Sequence, residues 1–154
     1  QTDQGKREFM LLESDEEIAD LLSATQRIAL VGASAKTDRA SNDVLRYLLD
    51  QGYEVIPVNP ALAGQQIHGA DVVASLAVID GEIDMVDIFR NSDAAGEVVD
   101  DAIAIGAKSI WMQLGVINML AAERAAARGM KVVMDRCPKI EIPRLGLSKV
   151  AHGG

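Results

Sequence analysis

Residues 27–41, RIALVGASAKTDRAS, constrain the fold of this chain more than any other stretch. A short apolar run, Ile28 to Val31, stops at Gly32. The small-residue turn Gly32-Ala33-Ser34 follows, then two basic side chains, Lys36 and Arg39, and a helix-type pattern starts near Ser41. A strand, a tight turn and a helix start in that order form an anion site. The first N–H groups of a helix have no intrahelical partner, and the helix dipole is positive there. Gly32 allows the sharp turn and a close approach to the backbone. Ser34 offers a hydroxyl and an N–H, Lys36 and Arg39 can reach phosphate oxygens, and Ser41 is expected to cap the helix. A nucleotide-like ligand is the leading inference; a surface loop with solvated charges is the plainer alternative.

The same texture repeats downstream. Ser14 and Glu17 form a capping box ahead of a short helix reaching about residue 23. Strands are predicted at 27–31, 53–58, 85–89, 109–112 and 131–134. Helices are predicted at 41–51, 93–105 and 118–128, with apolar positions at i, i+3, i+4 and i+7. Gly52, Gly106 and Gly129 stand where helix-ending glycines belong. Residues 61–82 read less regularly, with a short strand at Val72-Val73 and one helical turn at 76–79. Apolar strands alternating with amphipathic helices predict an α/β fold, a doubly wound, mainly parallel five-stranded sheet with helices on both faces. Right-handed crossovers suggest the order 3-2-1-4-5. The division expected is an N-terminal extension over 1–13, one domain over 14–147 and a tail over 148–154.

Net charge is −8, which argues against broad nucleic-acid binding and against docking on anionic lipid. A phosphate site in such a chain must rely on local donors. The single cysteine, Cys137, excludes an internal disulfide and fits a reducing, cytoplasmic compartment. No apolar run approaches the ~20 residues of a membrane span. One Cys and two His without ligand spacing predict no metal site.

In a doubly wound sheet the ligand lies at the carboxyl ends of the strands. After strand two stand Val58-Asn59-Pro60, without the Asp or Glu that a dinucleotide ribose requires; an Asn-Pro turn alone is the competing reading. The G-x-G-x-x-G pattern is broken after Gly32. After strand three, Phe89 and Arg90 either line the cleft or serve as core and rim. After strand four, Gln113 and Gly115 either meet a ligand amide or form a capping turn. After strand five, Asp135 and Arg136 are expected to pair with each other, and Cys137 reads as a buried, idle thiol. No nucleophile elbow, paired-acid motif or Walker A loop is present, so no catalytic residue is assigned.

These motifs together resemble a known family. GAS-x4-R-x-S (Gly32 to Ser41), GY-x-V-x-PVNP (Gly52 to Pro60), DMVDIFR (Asp84 to Arg90), IWMQLGV (Ile110 to Val116) and VVMDRC (Val132 to Cys137) are similar to the small bacterial and archaeal coenzyme A (CoA)-binding proteins. Those stand-alone domains are similar to the N-terminal CoA-binding domain of the succinyl-CoA synthetase α subunit. The resemblance covers about residues 14–147. It implies a Rossmann-like fold and CoA, or an acyl-CoA, as ligand. Gly32, Ala33, Ser34 and Arg39 would meet the phosphates with Lys36 assisting. Val58, Asn59 and Pro60 would flank the adenosine, and Phe89, Arg90, Gln113 and Gly115 would follow the pantetheine arm. The synthetase's phosphorylated histidine belongs to a second domain that this chain lacks, so no catalysis of its own is expected. Pro138 departs from the aliphatic residue common after the cysteine. Rival readings are an NAD(P)-dependent oxidoreductase with a degenerate fingerprint, a CoA-responsive regulatory or partner-binding module, and thiol chemistry between Cys137 and the CoA sulfur. Homo-oligomerisation and a protein partner stay open.

Overall fold

The computed structural model describes residues 11–147. Most of the expected N-terminal extension, residues 1–10, and the tail 148–154 lie outside the described residues. The helices are α1 (Asp15–Ala24), α2 (Ala40–Asp50), α3 (Ser92–Ala104), α4 (Met119–Ala127) and α5 (Pro138–Arg144). The strands are β1 (Arg27–Val31), β2 (Glu54–Val58), β3 (Gln66–Ile67), β4 (Ala70–Asp71), β5 (Met85–Ile88), β6 (Ser109–Met112) and β7 (Lys131–Val133).

The capping box at α1 is formed. The Ser14 hydroxyl accepts the Glu17 N–H at 3.2 Å, and the Glu17 carboxylate accepts the Ser14 N–H at 3.4 Å. Gly52, Gly106 and Gly129 follow α2, α3 and α4 with φ of +102°, +73° and +84°, the left-handed geometry that ends a helix cheaply only at glycine. Helix α5 is additional to the helices expected from periodicity. It has seven residues, and two of them, Pro138 and Pro143, read as helix breakers. Pro138 sits at the first helical position, where no N–H is needed.

A five-stranded parallel sheet runs β2-β1-β5-β6-β7, and β3 and β4 form a separate antiparallel hairpin. The five strands match the sequence pattern, but their order does not. The expected 3-2-1-4-5 puts the Met85 strand outside β2, whereas it pairs with β1. The place beyond β2 is already taken. Val73 bridges Val58 in parallel, its N–H donating to the Pro57 carbonyl at 3.0 Å, and the Asn59 N–H donates to the Val73 carbonyl at 3.0 Å. The third strand of the winding is thus reduced to one bridge. The next strand crosses to the other side of β1, and the switch point falls between β1 and β5.

Alternation along the strands divides the core. Ile28, Leu30, Met85, Trp111 and Val133 face α1, α2 and α5, whose Ile18, Leu22, Leu45, Leu48 and Ile142 are buried against them. Ala29, Val86, Ile88, Ile110 and Met112 face α3 and α4 through Val98, Val99, Ala121, Ala122 and Ala125. Burial of each large side chain contributes roughly 1.5–3 kcal/mol, and this two-faced packing fixes the loop ends in space.

Candidate functional site at the carboxyl ends of the strands

Gly32 stands at the switch point with φ +94°. A Cβ there would lie 2.3 Å from the Phe89 carbonyl oxygen, so only glycine lets the turn after β1 close on the end of β5. The N–H groups of Gly32 and Ala33 both donate to the Val58 carbonyl, at 3.1 and 3.3 Å. Their amides therefore lock β1 to β2. The Ser34 and Ala35 N–H groups have no acceptor among the described residues and are the donors this turn leaves open.

Helix α2 begins at Ala40 with Arg39 as N-cap, and no side chain caps it. Ser41 is therefore not the cap. The helix starts one residue earlier than expected, which places Ser41 inside the first turn, buried. The N–H groups of Ala40 and Ser41 keep the orphan character of a helix start. Arg39 and Lys36 are exposed beside them.

Asn59 ties the ends of β1 and β2 together. Its amide nitrogen donates to the Ala33 carbonyl at 2.7 Å, and its amide oxygen accepts the Ala61 N–H at 2.8 Å. Asn42 is a second tie. It donates to the Ser34 carbonyl at 3.0 Å, and its Oδ1 lies 2.8 Å from His68 Nε2. His68 heads the β3–β4 hairpin with φ +51°, followed by Gly69 at +83°, the two left-handed residues of a tight hairpin turn. A histidine isolated in sequence thereby braces the phosphate-type turn.

Two cavities flank this turn. One of about 390 Å³ is bordered by Gly32, Val58, Asn59, Pro60, Leu76 and Arg90, with Glu97 and Asp101 at its rim. The other, of about 690 Å³, lies between the start of α2, Phe89-Arg90-Asn91, Gln113 to Val116 and Cys137, Lys139 and Ile140. Arg90 borders both. Among the described residues Arg27, Lys108, Arg124, Arg136, Lys139 and Arg144 each have a carboxylate partner, whereas Lys36, Arg39, Arg46, Arg90, Arg128 and Lys131 have none. Three of the unpaired six, Lys36, Arg39 and Arg90, stand at the carboxyl ends of β1 and β5, where an acidic protein keeps local positive charge available to an anion.

Residues 26–143 match the model of the CoA binding domain. The chain belongs to that family. It is 39% identical over 127 residues to the uncharacterized protein YneT of Bacillus subtilis, a match covering 82% of this chain and 93% of YneT. A solved hypothetical protein from Pyrococcus horikoshii superposes with TM-score 0.82 and 38% identity, over 86% of this chain and 92% of that one. The dinucleotide-forming acetyl-coenzyme A synthetase 1 of Candidatus Korarchaeum cryptofilum, solved with phosphate and ADP, matches at TM-score 0.62 and 27% identity, over 73% of this chain and 26% of the synthetase. The family and the Rossmann-like fold inferred from the motifs are both correct.

The structure gathers Gly32, Val58, Asn59, Pro60 and Arg90 on the smaller cavity and Phe89, Arg90, Gln113 and Gly115 on the larger one. Gln113 is 6% exposed, and its Oε1 has no hydrogen-bond partner. Gly115 has φ +81° and open space where a Cβ would project; its N–H donates to Asp135 Oδ1 at 2.7 Å. Asp135 and Arg136 therefore do not pair. Arg136 turns instead to Glu141 at 3.4 Å and to the Glu13 carbonyl at 3.2 Å. Left-handed Asp135 (φ +60°) aims its carboxylate across the sheet edge, away from its neighbour.

Sequence reasoning misses Asn42 and His68 as braces and Cys137 as a wall of the larger cavity. It also passes over Asp87, which is fully buried with both carboxylate oxygens unpartnered; burial pushes its carboxyl well above the usual range. A polar residue between Val86 and Ile88 in an apolar strand is the available signal.

Proposed function

We propose that this protein binds CoA along the carboxyl edge of the sheet, with the diphosphate at the β1–α2 turn. The observation that carries the reading is the set of unpaired cations, Lys36, Arg39 and Arg90, around a turn with open N–H groups at Ser34 and Ala35. Arg side chains hold phosphate oxygens in a two-point fork, and the helix start adds N–H donors. The adenosine end fits the smaller cavity beside Val58, Asn59 and Pro60, where Glu97 and Asp101 offer acceptors to the adenine amino group. The pantetheine arm follows the larger cavity past Phe89, Gln113 and Gly115. Gly32 and Ala33 act through geometry, because their amides are committed to Val58. Ser41 contributes from the first turn of α2.

The end of β2 favours CoA over a dinucleotide. Asn59 stands where NAD sites place an acid for the ribose diol, and both atoms of its amide already bond within the fold, to the Ala33 carbonyl and the Ala61 N–H. Calorimetric titration with CoA, NAD and NADP tests the reading. CoA is expected to bind with a stoichiometry of one while the dinucleotides bind at least about a hundredfold more weakly, the discrimination that unmatched polar groups impose. Tight NAD binding with none for CoA would reverse the assignment. On this reading the chain is a cytoplasmic CoA-binding protein rather than an enzyme.

A further inference from the structure

The wall of the larger cavity has a feature that CoA binding alone does not use. Cys137, the chain's single cysteine, is buried yet borders this cleft beside Phe89 and Gln113. Its backbone is held firmly. Trp111 Nε1 donates to the carbonyl of the preceding Arg136 at 2.7 Å, and the Cys137 carbonyl accepts N–H groups from Ile140 and Glu141 at 3.0 and 2.9 Å. A second, independent feature borders the same cleft. Gln113 is more than nine-tenths buried, and its Oε1 accepts nothing from the protein. A buried acceptor without a donor costs free energy until a ligand supplies one. The pantetheine arm carries two amide N–H groups and ends in a thiol. Val44, Phe89, Val116 and Ile140 give the methylene segments an apolar wall.

We propose that Cys137 exchanges with a disulfide of CoA bound in this cleft, leaving CoA attached to the protein as a mixed disulfide. This rests on the CoA reading above. In the step, Cys137 gives up its proton to water and its thiolate attacks the near sulfur of the bound disulfide. The new Cys137–CoA sulfur–sulfur bond forms as the old one breaks, and the departing thiolate takes a proton from water. One disulfide replaces another, so the disulfide form of CoA is the only co-reactant. Free thiols reverse the reaction, which makes the site a reversible covalent store of CoA, loaded when the CoA pool is oxidised.

Intact-protein mass spectrometry over time tests this, with CoA disulfide and pantethine as parallel reagents. Pantethine presents the same sulfurs and amides without the nucleotide. The expected result is one CoA moiety per chain, released by dithiothreitol and absent in Cys137→Ser. Because the nucleotide anchors the reacting sulfur, CoA disulfide should react at least about tenfold faster than pantethine, and Arg39→Ala should erase most of that advantage. Free CoA is titrated calorimetrically into wild type and Cys137→Ser alongside. Absence of CoA binding in both proteins would overturn the CoA reading itself. Normal CoA binding with no adduct, or with equal rates for the two disulfides, would overturn the exchange and leave the CoA reading standing.

Discussion

The two ends of the same parallel strands differ in one respect that separates the proposed ligand site from a structural one. At the amino end, a cavity of about 600 Å³ is bordered by Arg27, Glu54, Glu82, Asp84 and Lys108, close in size to the larger cavity at the carboxyl end. Its polar groups are matched. Asp84 accepts the N–H groups of Gln26 and Arg27 at 3.0 and 2.9 Å, and Lys108 lies 3.3 and 3.4 Å from Glu82 and Asp84. Arg27 pairs with Glu54 at 3.0 Å and donates to the Asp80 and Glu82 carbonyls. At the carboxyl end, among the described residues, Lys36, Arg39 and Arg90 stand without carboxylates, the Ser34 and Ala35 amides lack acceptors, and Gln113 Oε1 is unpartnered. Volume does not distinguish the two ends. Unmatched hydrogen-bonding capacity does: water hydrates the exposed cations and amides until a ligand replaces it, while buried Gln113 Oε1 carries a desolvation cost that a ligand N–H would relieve.

Gly32→Ala should break this contrast most severely. A Cβ at 2.3 Å from the Phe89 carbonyl, on a backbone with φ +94°, forces the β1 turn off β5. A loss of roughly 2–4 kcal/mol in urea unfolding is expected, together with loss of CoA binding. Arg39→Ala leaves the fold intact and should weaken CoA by roughly 1–3 kcal/mol, about tenfold to a hundredfold, in a calorimetric titration. An unchanged dissociation constant would place Arg39 in solvent. At the opposite end, Arg27→Met should reduce stability by about 1–2 kcal/mol through its lost hydrogen bonds while CoA affinity stays at the wild-type value. A weakened affinity there would erase the distinction between the two ends.

Two aspartates three residues apart sharpen the same point through pH. Burial would raise the Asp84 carboxyl, yet the N–H groups of Arg27 and Gln26 and the Lys108 ammonium hold it below its usual value. Its stabilisation is present above the ordinary carboxylate range and disappears as pH falls through the lowered folded value. Asp87 has only burial acting on it and is raised. Its protonated form suits the fold, so its contribution is complete in acid and is lost as pH rises from about 4 toward the raised folded value, at up to about 1.4 kcal/mol per pH unit. Asp87→Asn should flatten this upper limb of the stability profile, and Asp84→Asn the acid limb. Urea unfolding across pH measures both.

Much of the molecule is readable locally. The β1–α2 turn, the capping box of α1 and the glycine stops declare themselves because each depends on residues a few positions apart. Other features depend on distant partners. Gly32 reads as a turn residue, but the reason it admits no side chain is the Phe89 carbonyl, 57 positions away in sequence and adjacent in the sheet. The strand order escapes a sequence reading because its deciding element is the single Val58–Val73 bridge, too short for any periodicity. Ser41 reads as a cap because serine favours that place, while the N-cap falls two residues earlier, at Arg39. Cys137 reads as idle because nothing near it in sequence is a base or a ligand; its neighbours in the cleft come from the ends of β5 and β6. His68 reads as isolated for the same reason, until the hairpin turn brings it to Asn42.

A crystal structure with CoA at saturating concentration tests the central claim most directly. The diphosphate should rest on the Ser34 and Ala35 amides with Arg39 beside it, and the pantetheine arm should run between Phe89 and Cys137 with an amide N–H on Gln113 Oε1. CoA lodged at the Arg27–Lys108 end, or a vacant β1–α2 turn in crystals that hold CoA elsewhere, would contradict the account.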